Sequence, residues 1–146
     1  MVMIGIDPHK RTHTAVAVDD DEAVLSELLV HARPSQALEL VAWADTLDRA
    51  SRIWAIESAG GLGYLLAQQL LAAGEHVVDI PATLASRVRL LGTGRSDKND
   101  PNDARSVAIA ALRAATFVVV RVEDHATILR MLARRHSQIA WTRNKA

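Results

Sequence analysis

The order of the apolar segments constrains the fold of this chain more than any other feature. Residues 2–7 form a short apolar run that ends in an acid, and residues 12–19 alternate with the period of a strand. Residues 23–31 continue as a third strand, and the loops between the three segments are short enough for hairpins. The chain is therefore predicted to open as a three-stranded antiparallel meander.

The segment after the meander is predicted to be a helix. Ser35 is the predicted N-cap, because a hydroxyl before the first helical turn accepts a backbone hydrogen bond. The apolar stripe of this helix is predicted to consist of Leu38, Val41, Ala42 and Leu47.

Strands and helices alternate from there onward. Strands are predicted at 52–57 and 76–80, and the helix between them is expected to open at Gly60-Gly61 and to stop at Gly74. Two more helices are predicted, one reaching residue 91 and one running from Pro101 to about residue 114.

This order indicates an α/β fold with a mixed five-stranded sheet and helices on both faces. Residues 116–120 fit either a last short strand or an extended linker. A further helix is predicted from Val122, so we expect a domain at 1–120 and the start of an extending helix at 121–146. The heptad of that helix is imperfect, with Val122, His125, Leu129, Leu132, His136, Ile139, Arg143 and Ala146 at its a and d positions.

The composition excludes several classes of protein. The 146 residues include no cysteine, which rules out disulfides, zinc ribbons, iron–sulfur clusters and thiol nucleophiles. The N-terminus lacks the basic and apolar regions of a secretory signal, and no apolar stretch is long enough to span a membrane. A cytoplasmic protein without a membrane partner is expected.

The zero net charge conceals an asymmetry between the two halves of the chain. Residues 1–84 carry 5 Lys/Arg and 12 Asp/Glu, whereas residues 85–146 carry 12 and 5. A basic half of this kind favours a polyanionic partner such as nucleic acid. The alternative is a helical tail whose arginines are merely solvated.

Two carboxylates close apolar strands. Asp7 lies at the C-terminal end of the first strand, and Glu57 lies at the C-terminal end of the fourth. Functional sites of α/β sheets are built at such strand ends. A carboxylate is costly to bury without a partner, and a metal ion is one such partner. The alternative is that each acid is satisfied locally, for example by the backbone of a turn.

A second acidic pair, Asp100 and Asp103, lies at the start of a predicted helix. The spacing i, i+3 places both acids on one helix face. Helix capping is the simpler explanation of these two positions on their own, because Asp100 precedes a proline and Asp103 occupies the capping-box position. Capping and metal binding are compatible, since a carboxylate has two oxygens.

The four carboxylates together predict a metal site. Oxygen ligands without cysteine suit a hard cation, Mg²⁺ or Mn²⁺. Two such ions about 3.5–4 Å apart form the site used for phosphodiester chemistry.

Three motifs in this order and spacing resemble the DEDD transposases of bacterial insertion sequences. These are relatives of the pilin-gene invertase, and some of them are bridge-RNA-guided recombinases. The motifs are Gly5-Ile6-Asp7-Pro8-His9-Lys10 followed by His13, Glu57-Ser58-Ala59-Gly60-Gly61 leading into Tyr64-Leu65-Leu66, and Lys98-Asn99-Asp100-Pro101-Asn102-Asp103-Ala104.

The resemblance implies a RuvC-like, ribonuclease H-type fold and a DNA transposase or recombinase. It makes Asp7, Glu57, Asp100 and Asp103 both catalytic residues and metal ligands. It also implies DNA as a partner, a guide RNA as a second candidate partner, and self-association through the helix after the catalytic domain. Relatives carry a C-terminal, serine-bearing domain, so this chain is expected to be a fragment that does not complete recombination alone.

Basic residues near the acidic motifs are candidates for contact with nucleic acid. They are Lys10, Arg87, Arg89, Arg95 and Lys98. A solvated surface is the alternative interpretation for Lys10.

His9 and His13 flank the first hairpin loop. A histidine beside carboxylates is a potential base or ligand, but a loop histidine and a strand histidine are the simpler interpretations.

Two other functions compete with the transposase. One is a nucleic-acid-binding or dimerisation module that keeps the fold and does no chemistry. The other is an actin-like kinase lobe, in which Gly5-Ile6-Asp7 would begin a phosphate-binding hairpin. That hairpin needs glycine at the positions where this chain has Pro8-His9.

Overall fold

A computed structural model describes residues 1–47, 51–93 and 100–145 of the chain. Its element order agrees with the predicted order and adds one short strand. The elements are β1 (Val2–Pro8), β2 (Thr12–Val18), β3 (Val24–His31), α1 (Gln36–Ala44), β4 (Arg52–Glu57), α2 (Tyr64–Ala72), β5 (Val77–Ile80), α3 (Ala82–Thr93), α4 (Asp100–Arg113), β6 (Val118–Val119) and α5 (His125–Lys145).

The strands form one mixed sheet in the order β3-β2-β1-β4-β5-β6. The meander β1–β2–β3 is antiparallel, β1 and β4 are parallel, and β4 and β5 are parallel. The predicted count of five strands was one too low, because Val118 and Val119 pair antiparallel with β5. Two residues are too few to show a strand period, so only the pairing partner reveals this strand.

Two apolar cores lie on opposite faces of the sheet. Strand β1 is buried along its whole length and contributes to both cores, as expected for a central strand. Ile4 and Ile6 pack with α1 and α2, whereas Met3 packs with α3 and α4. Helices therefore cover both faces, as predicted.

The first helix differs from its predicted packing. Its buried residues are Gln36, Ala37, Leu40 and Ala44. Of the predicted stripe, Val41 and Leu47 pack partly buried against this core, whereas Leu38, which is 73% exposed, and Ala42 do not.

Ser35 lies at the predicted N-cap of α1 but makes no side-chain capping bond. Its hydroxyl instead donates to Glu39 Oε1 at 2.6 Å, and Glu39 also accepts two bonds from Arg33. An ion-paired carboxylate is a stronger acceptor for this hydroxyl than a neutral group.

The predicted stop of α2 is confirmed at Gly74, whose φ is +85°. Its N–H donates to the Leu71 carbonyl, and the Glu75 N–H donates to the Leu70 carbonyl. These two bonds form a Schellman motif, which needs a left-handed residue at this position.

Gly5 allows α4 to lie directly against β1. A Cβ on Gly5 would lie 2.0 Å from the Ala104 carbonyl oxygen and 2.5 Å from the Ala108 nitrogen. Both are backbone atoms of α4, so neither can move without moving the helix. The sequence therefore needs a residue without a side chain at this point of the central strand.

We predict that Gly5→Ala lowers the free energy of unfolding by about 3 kcal/mol, because the added methyl overpacks a backbone contact. Chemical denaturation measures this difference. Gly60→Ala is the matched control, since no heavy atom lies within 4 Å of the Cβ it would add. Equal stability of the two variants would contradict the role assigned to Gly5.

Candidate metal centre

The parallel pairing of β1 and β4 brings two acidic residues to one edge of the sheet. Ile6 lies opposite Ile56, so Asp7 and Glu57 follow at the same level of neighbouring strands. Asp7 shares a strand face with Gly5, and Glu57 shares one with Ala55, which packs in the α3/α4 core. Strand alternation therefore places both acids on the face that α4 covers.

Helix α4 supplies the other two predicted acids on the same face. Asp100 begins the helix and is exposed, whereas Asp103 is 5% exposed. The contact between α4 and Gly5 holds this helix start beside the end of β1. The four predicted carboxylates thus lie on one side of the sheet, and their roles as ligands stay a prediction.

A tight group of potential ligands forms at this edge. In the described part of the chain, one ligand atom each from Asp7, His9 and Asp100 lies within 4.8 Å of the other two. His9 Nε2 is 2.9 Å from Asp7 Oδ2 and 3.6 Å from Asp100 Oδ1. Glu57 and Asp103 are not members of this group.

His9 is the member that the predicted ligand set omitted. The signal in the sequence is its position two residues after the strand-end Asp7, but a loop histidine is the simpler interpretation of that position. Its side chain is 46% exposed, so it reaches both the acids and solvent. The structure therefore places a titratable, nitrogen-bearing group directly beside two of the predicted acids.

Asp103 has a basic partner on a neighbouring helix. Its carboxylate forms an ion pair with Arg89 of α3, and the two side chains are 6% and 22% exposed. A buried carboxylate is stable only when it is paired, so Arg89 compensates this charge.

The turn after β4 holds Glu57 in position. Ser58 has a φ of +51°, an uncommon conformation for a residue other than glycine. Its N–H donates to the Ile80 carbonyl at 3.0 Å, and the Ala59 N–H donates to Asp79 Oδ1 at 2.6 Å. Neighbouring β5 thus fixes the strained turn directly after the acid.

The predicted nucleic-acid residues fall into three groups. Lys10 and Arg87 are exposed, Lys10 in the β1–β2 loop and Arg87 on α3. Arg89 makes the ion pair described above. Arg95 and Lys98 lie outside the described residues. Contact of these five residues with nucleic acid stays a prediction.

His13 lies on the opposite face of the sheet from Asp7 and is a core residue. It is 3% exposed, and its Nε2 is 3.0 Å from Gln36 Oε1. Because Gln36 Nε2 donates to Gln69 Oε1, the Gln36 oxygen must accept, so His13 carries its proton on Nε2. Burial lowers the pKa of His13 below its ordinary value.

We predict that stability falls as the pH is lowered through about 6.5, the pKa of an unfolded histidine. The unfolded chain then binds a proton that buried His13 resists, so stability is full above this pH and is lost below it. Thermal melts from about pH 7.5 to about pH 5.5 measure the slope. His13→Gln should flatten it, whereas His31→Gln, at an exposed position on β3, should not.

The donor set of this edge fits a hard divalent cation. The group offers oxygen atoms from the Asp7 and Asp100 carboxylates and a nitrogen from the His9 imidazole, and carboxylates suit Mg²⁺ and Mn²⁺. Aligned strand ends and a helix packed onto the sheet are also how α/β proteins assemble sites.

The fold is RuvC-like. The chain is similar to RuvC from Thermus thermophilus in complex with Holliday junction substrate, with a TM-score of 0.60 and 16% identity over 82% of this chain and 99% of RuvC. A second T. thermophilus RuvC structure gives a TM-score of 0.57 and 18% identity over 82% and 100% of the two chains. The predicted RuvC-like fold class is confirmed.

The chain belongs to the IS110-type DEDD transposase family, whose profile, described as Transposase, matches residues 4–146. It is 32% identical to the insertion element IS116 uncharacterized 44.8 kDa protein of Streptomyces clavuligerus, over 94% of this chain and 34% of that protein. It is 31% identical to the insertion element IS900 uncharacterized 42 kDa protein of Mycobacterium paratuberculosis, over 99% and 37%. The chain thus spans about a third of the length of these relatives.

The predicted family is therefore confirmed, and this family implies the use of a divalent metal. Among the described residues, no helix combines the length and the apolar character needed to cross a membrane.

Proposed function

We propose that this chain is the catalytic part of a DNA transposase and that its carboxylates hold Mg²⁺ or Mn²⁺ for cleavage of DNA strands. The observation that carries the proposal is the group formed by Asp7, His9 and Asp100 at the end of the central strand. Family membership and the RuvC-like fold support it. The RuvC structure in complex with a Holliday junction supports DNA as the substrate.

Asp7 and Asp100 are the proposed central ligands, with Glu57 and Asp103 completing the set. Bound divalent ions would stabilise the charge of the attacking and leaving oxygens during displacement at phosphorus. The strand ends and the start of α4 hold these acids in fixed relative positions, so little rearrangement is needed as the reaction proceeds.

His9 is proposed to orient Asp7 and to exchange a proton with solvent. Its Nε2 lies 2.9 Å from Asp7 Oδ2, within hydrogen-bond distance, while nearly half of its side chain is exposed.

Complete strand exchange is proposed to need more than this chain. The chain spans about a third of its relatives, and the family resemblance assigns a serine nucleophile to a different domain. A guide RNA stays a prediction of the same resemblance.

We predict that the wild-type chain binds Mn²⁺ and that Asp7→Asn and Asp100→Asn each weaken binding by at least about 10-fold. Each variant removes a negative charge and a ligand oxygen from the group. Electron paramagnetic resonance of free Mn²⁺ measures the affinity. Asp21→Asn is the control, because it makes the same change in the exposed β2–β3 turn.

The same variants test cleavage. Nicking of supercoiled DNA in Mg²⁺ should fall to background in Asp7→Asn and persist in Asp21→Asn. Binding of DNA without metal-dependent nicking in the wild type would favour a non-catalytic nucleic-acid-binding or dimerisation module.

Self-association through α5 is the second part of the proposal. Leu129, Leu132 and Ile139 of the predicted seam are 64%, 61% and 49% exposed. Asp124 caps the helix through the Thr127 N–H at 2.8 Å. An isolated helix is marginally stable in water, so these apolar side chains favour pairing with a second copy of the chain.

We predict that the chain sediments as a dimer and that a version ending at Arg121 sediments as a monomer. Leu132→Glu should also give monomers, because it places a charge on the seam. Gln138→Glu is the control, since it adds the same charge off the seam. Weak dimers form at roughly tens of micromolar protein. If the 146-residue chain is monomeric at that concentration, the proposal is contradicted.

A further inference from the structure

A cavity of about 260 Å³ lies between α3, α4 and the β2–β3 turn, on the side of α4 that faces away from β1. It is several times larger than the roughly 30 Å³ that one water occupies. Its polar lining consists of Glu22, Arg89, Asn102, Arg105, Ser106 and Arg113.

Positive charge exceeds negative charge in this lining. Three residues are arginines, and one, Glu22, is an acid. Arg113 donates from Nε and Nη2 to the two Glu22 carboxylate oxygens, at 2.5 and 2.6 Å. The Arg113 guanidinium thereby holds the pKa of Glu22 below its ordinary value, so this acid is ionised and already paired. Arg89 is paired with Asp103.

Arg105 forms no salt bridge with a carboxylate within the described residues, although the Glu22 carboxylate interacts with its charge at longer range. Its Nη2 reaches the Glu22 carbonyl oxygen at 3.4 Å, which is a long contact, and this oxygen is neutral. Its Nε is buried and has no hydrogen-bond partner in the described part of the chain. Arg105 is half-buried, and an anion beside its guanidinium would offset the hydration that the buried Nε has lost.

We propose that this cavity binds a phosphate group through the unpaired guanidinium of Arg105. The planar fork of a guanidinium matches two phosphate oxygens, which makes arginine the usual residue for phosphate recognition. Ser106 and Asn102 add polar atoms to the same wall. The inference rests on the proposed function in one respect, which is that the backbone of DNA is the expected source of the phosphate.

Arg89 connects the cavity to the candidate metal centre. It lines the cavity, and its guanidinium also pairs with Asp103. A phosphate in the cavity competes with Asp103 for this guanidinium. Phosphate binding therefore leaves the Asp103 carboxylate with less compensating charge and more available to a cation.

The wild-type chain allows a direct test by NMR. The Arg105 Nε–H signal should shift and saturate when inorganic phosphate is added, and again when a short single-stranded thymidine oligonucleotide is added, both in EDTA. Saturation by the oligonucleotide at much lower concentration identifies the DNA backbone as the source, and saturation by inorganic phosphate alone identifies a small anion. An Arg105 signal that neither ligand moves overturns the proposal.

Substitutions give a second test that does not depend on assigning the signal. Arg105→Gln should weaken oligonucleotide binding at low salt by at least about 10-fold, since one charge-assisted contact is lost. Arg105→Lys, which keeps the charge and loses the fork, should fall between this variant and the wild type. Arg121→Gln is the control, because it removes one charge from an exposed residue that does not line the cavity.

Thermal melts show whether Arg105→Gln is folded, and the wild-type titration decides the question if it is not. A folded Arg105→Gln that binds phosphate and oligonucleotide as the wild type does would overturn the proposal. Because all of these measurements are made without metal, loss of nicking in Asp7→Asn and loss of binding in Arg105→Gln are independent results.

Discussion

The direct contact between α4 and the bare backbone of Gly5 is the constraint on which the rest of the structure depends. The Ala104 carbonyl oxygen lies where a side chain on Gly5 would begin. This approach closes the core between the sheet and the helices α3 and α4. It also sets the start of α4 beside the end of β1, which is why Asp100 lies close to Asp7. Because Gly5 has no side chain, α4 can pack closely on the sheet, and the same close packing places Asp100 near Asp7 in the candidate site.

Electrostatic compensation is the second constraint. Asp7 and Asp103 are both less than 10% exposed, and a buried carboxylate needs a partner. His9 from the β1–β2 loop serves Asp7, and Arg89 from α3 serves Asp103. Arg105 is the opposite case, a cation that lines a cavity and forms no salt bridge with any acid in the part of the chain that the structure describes. The acids indicate where a metal would bind, and this arginine indicates where a phosphate would bind.

Much of the fold could be predicted because burial on both faces leaves a clear pattern in the strands. Strand β4 was predicted with the bounds it has, and Gly74 ends α2 as expected. The core-facing side of α1 was predicted only in part, because Gln36, a polar residue, is buried where it hydrogen-bonds to His13 and Gln69. Apolar periodicity carries no signal for such a residue. The local sequence of residues 116–120 fits either a strand or a linker. Strand β6 is established by its pairing with β5, which is a contact between distant segments.

The sequence by itself determined the order of the elements and the family, and it singled out four acids whose roles as ligands stay a prediction. Those features follow from local periodicity and from motifs, which are properties of short segments. Only the tertiary structure decided that His9 joins Asp7 and Asp100, that Arg89 pairs with Asp103, and that the Nε of Arg105 is buried without a hydrogen-bond partner among the described residues. These outcomes depend on how helices and strands distant in sequence pack together, since a side chain's partner is set by the element that lies against it.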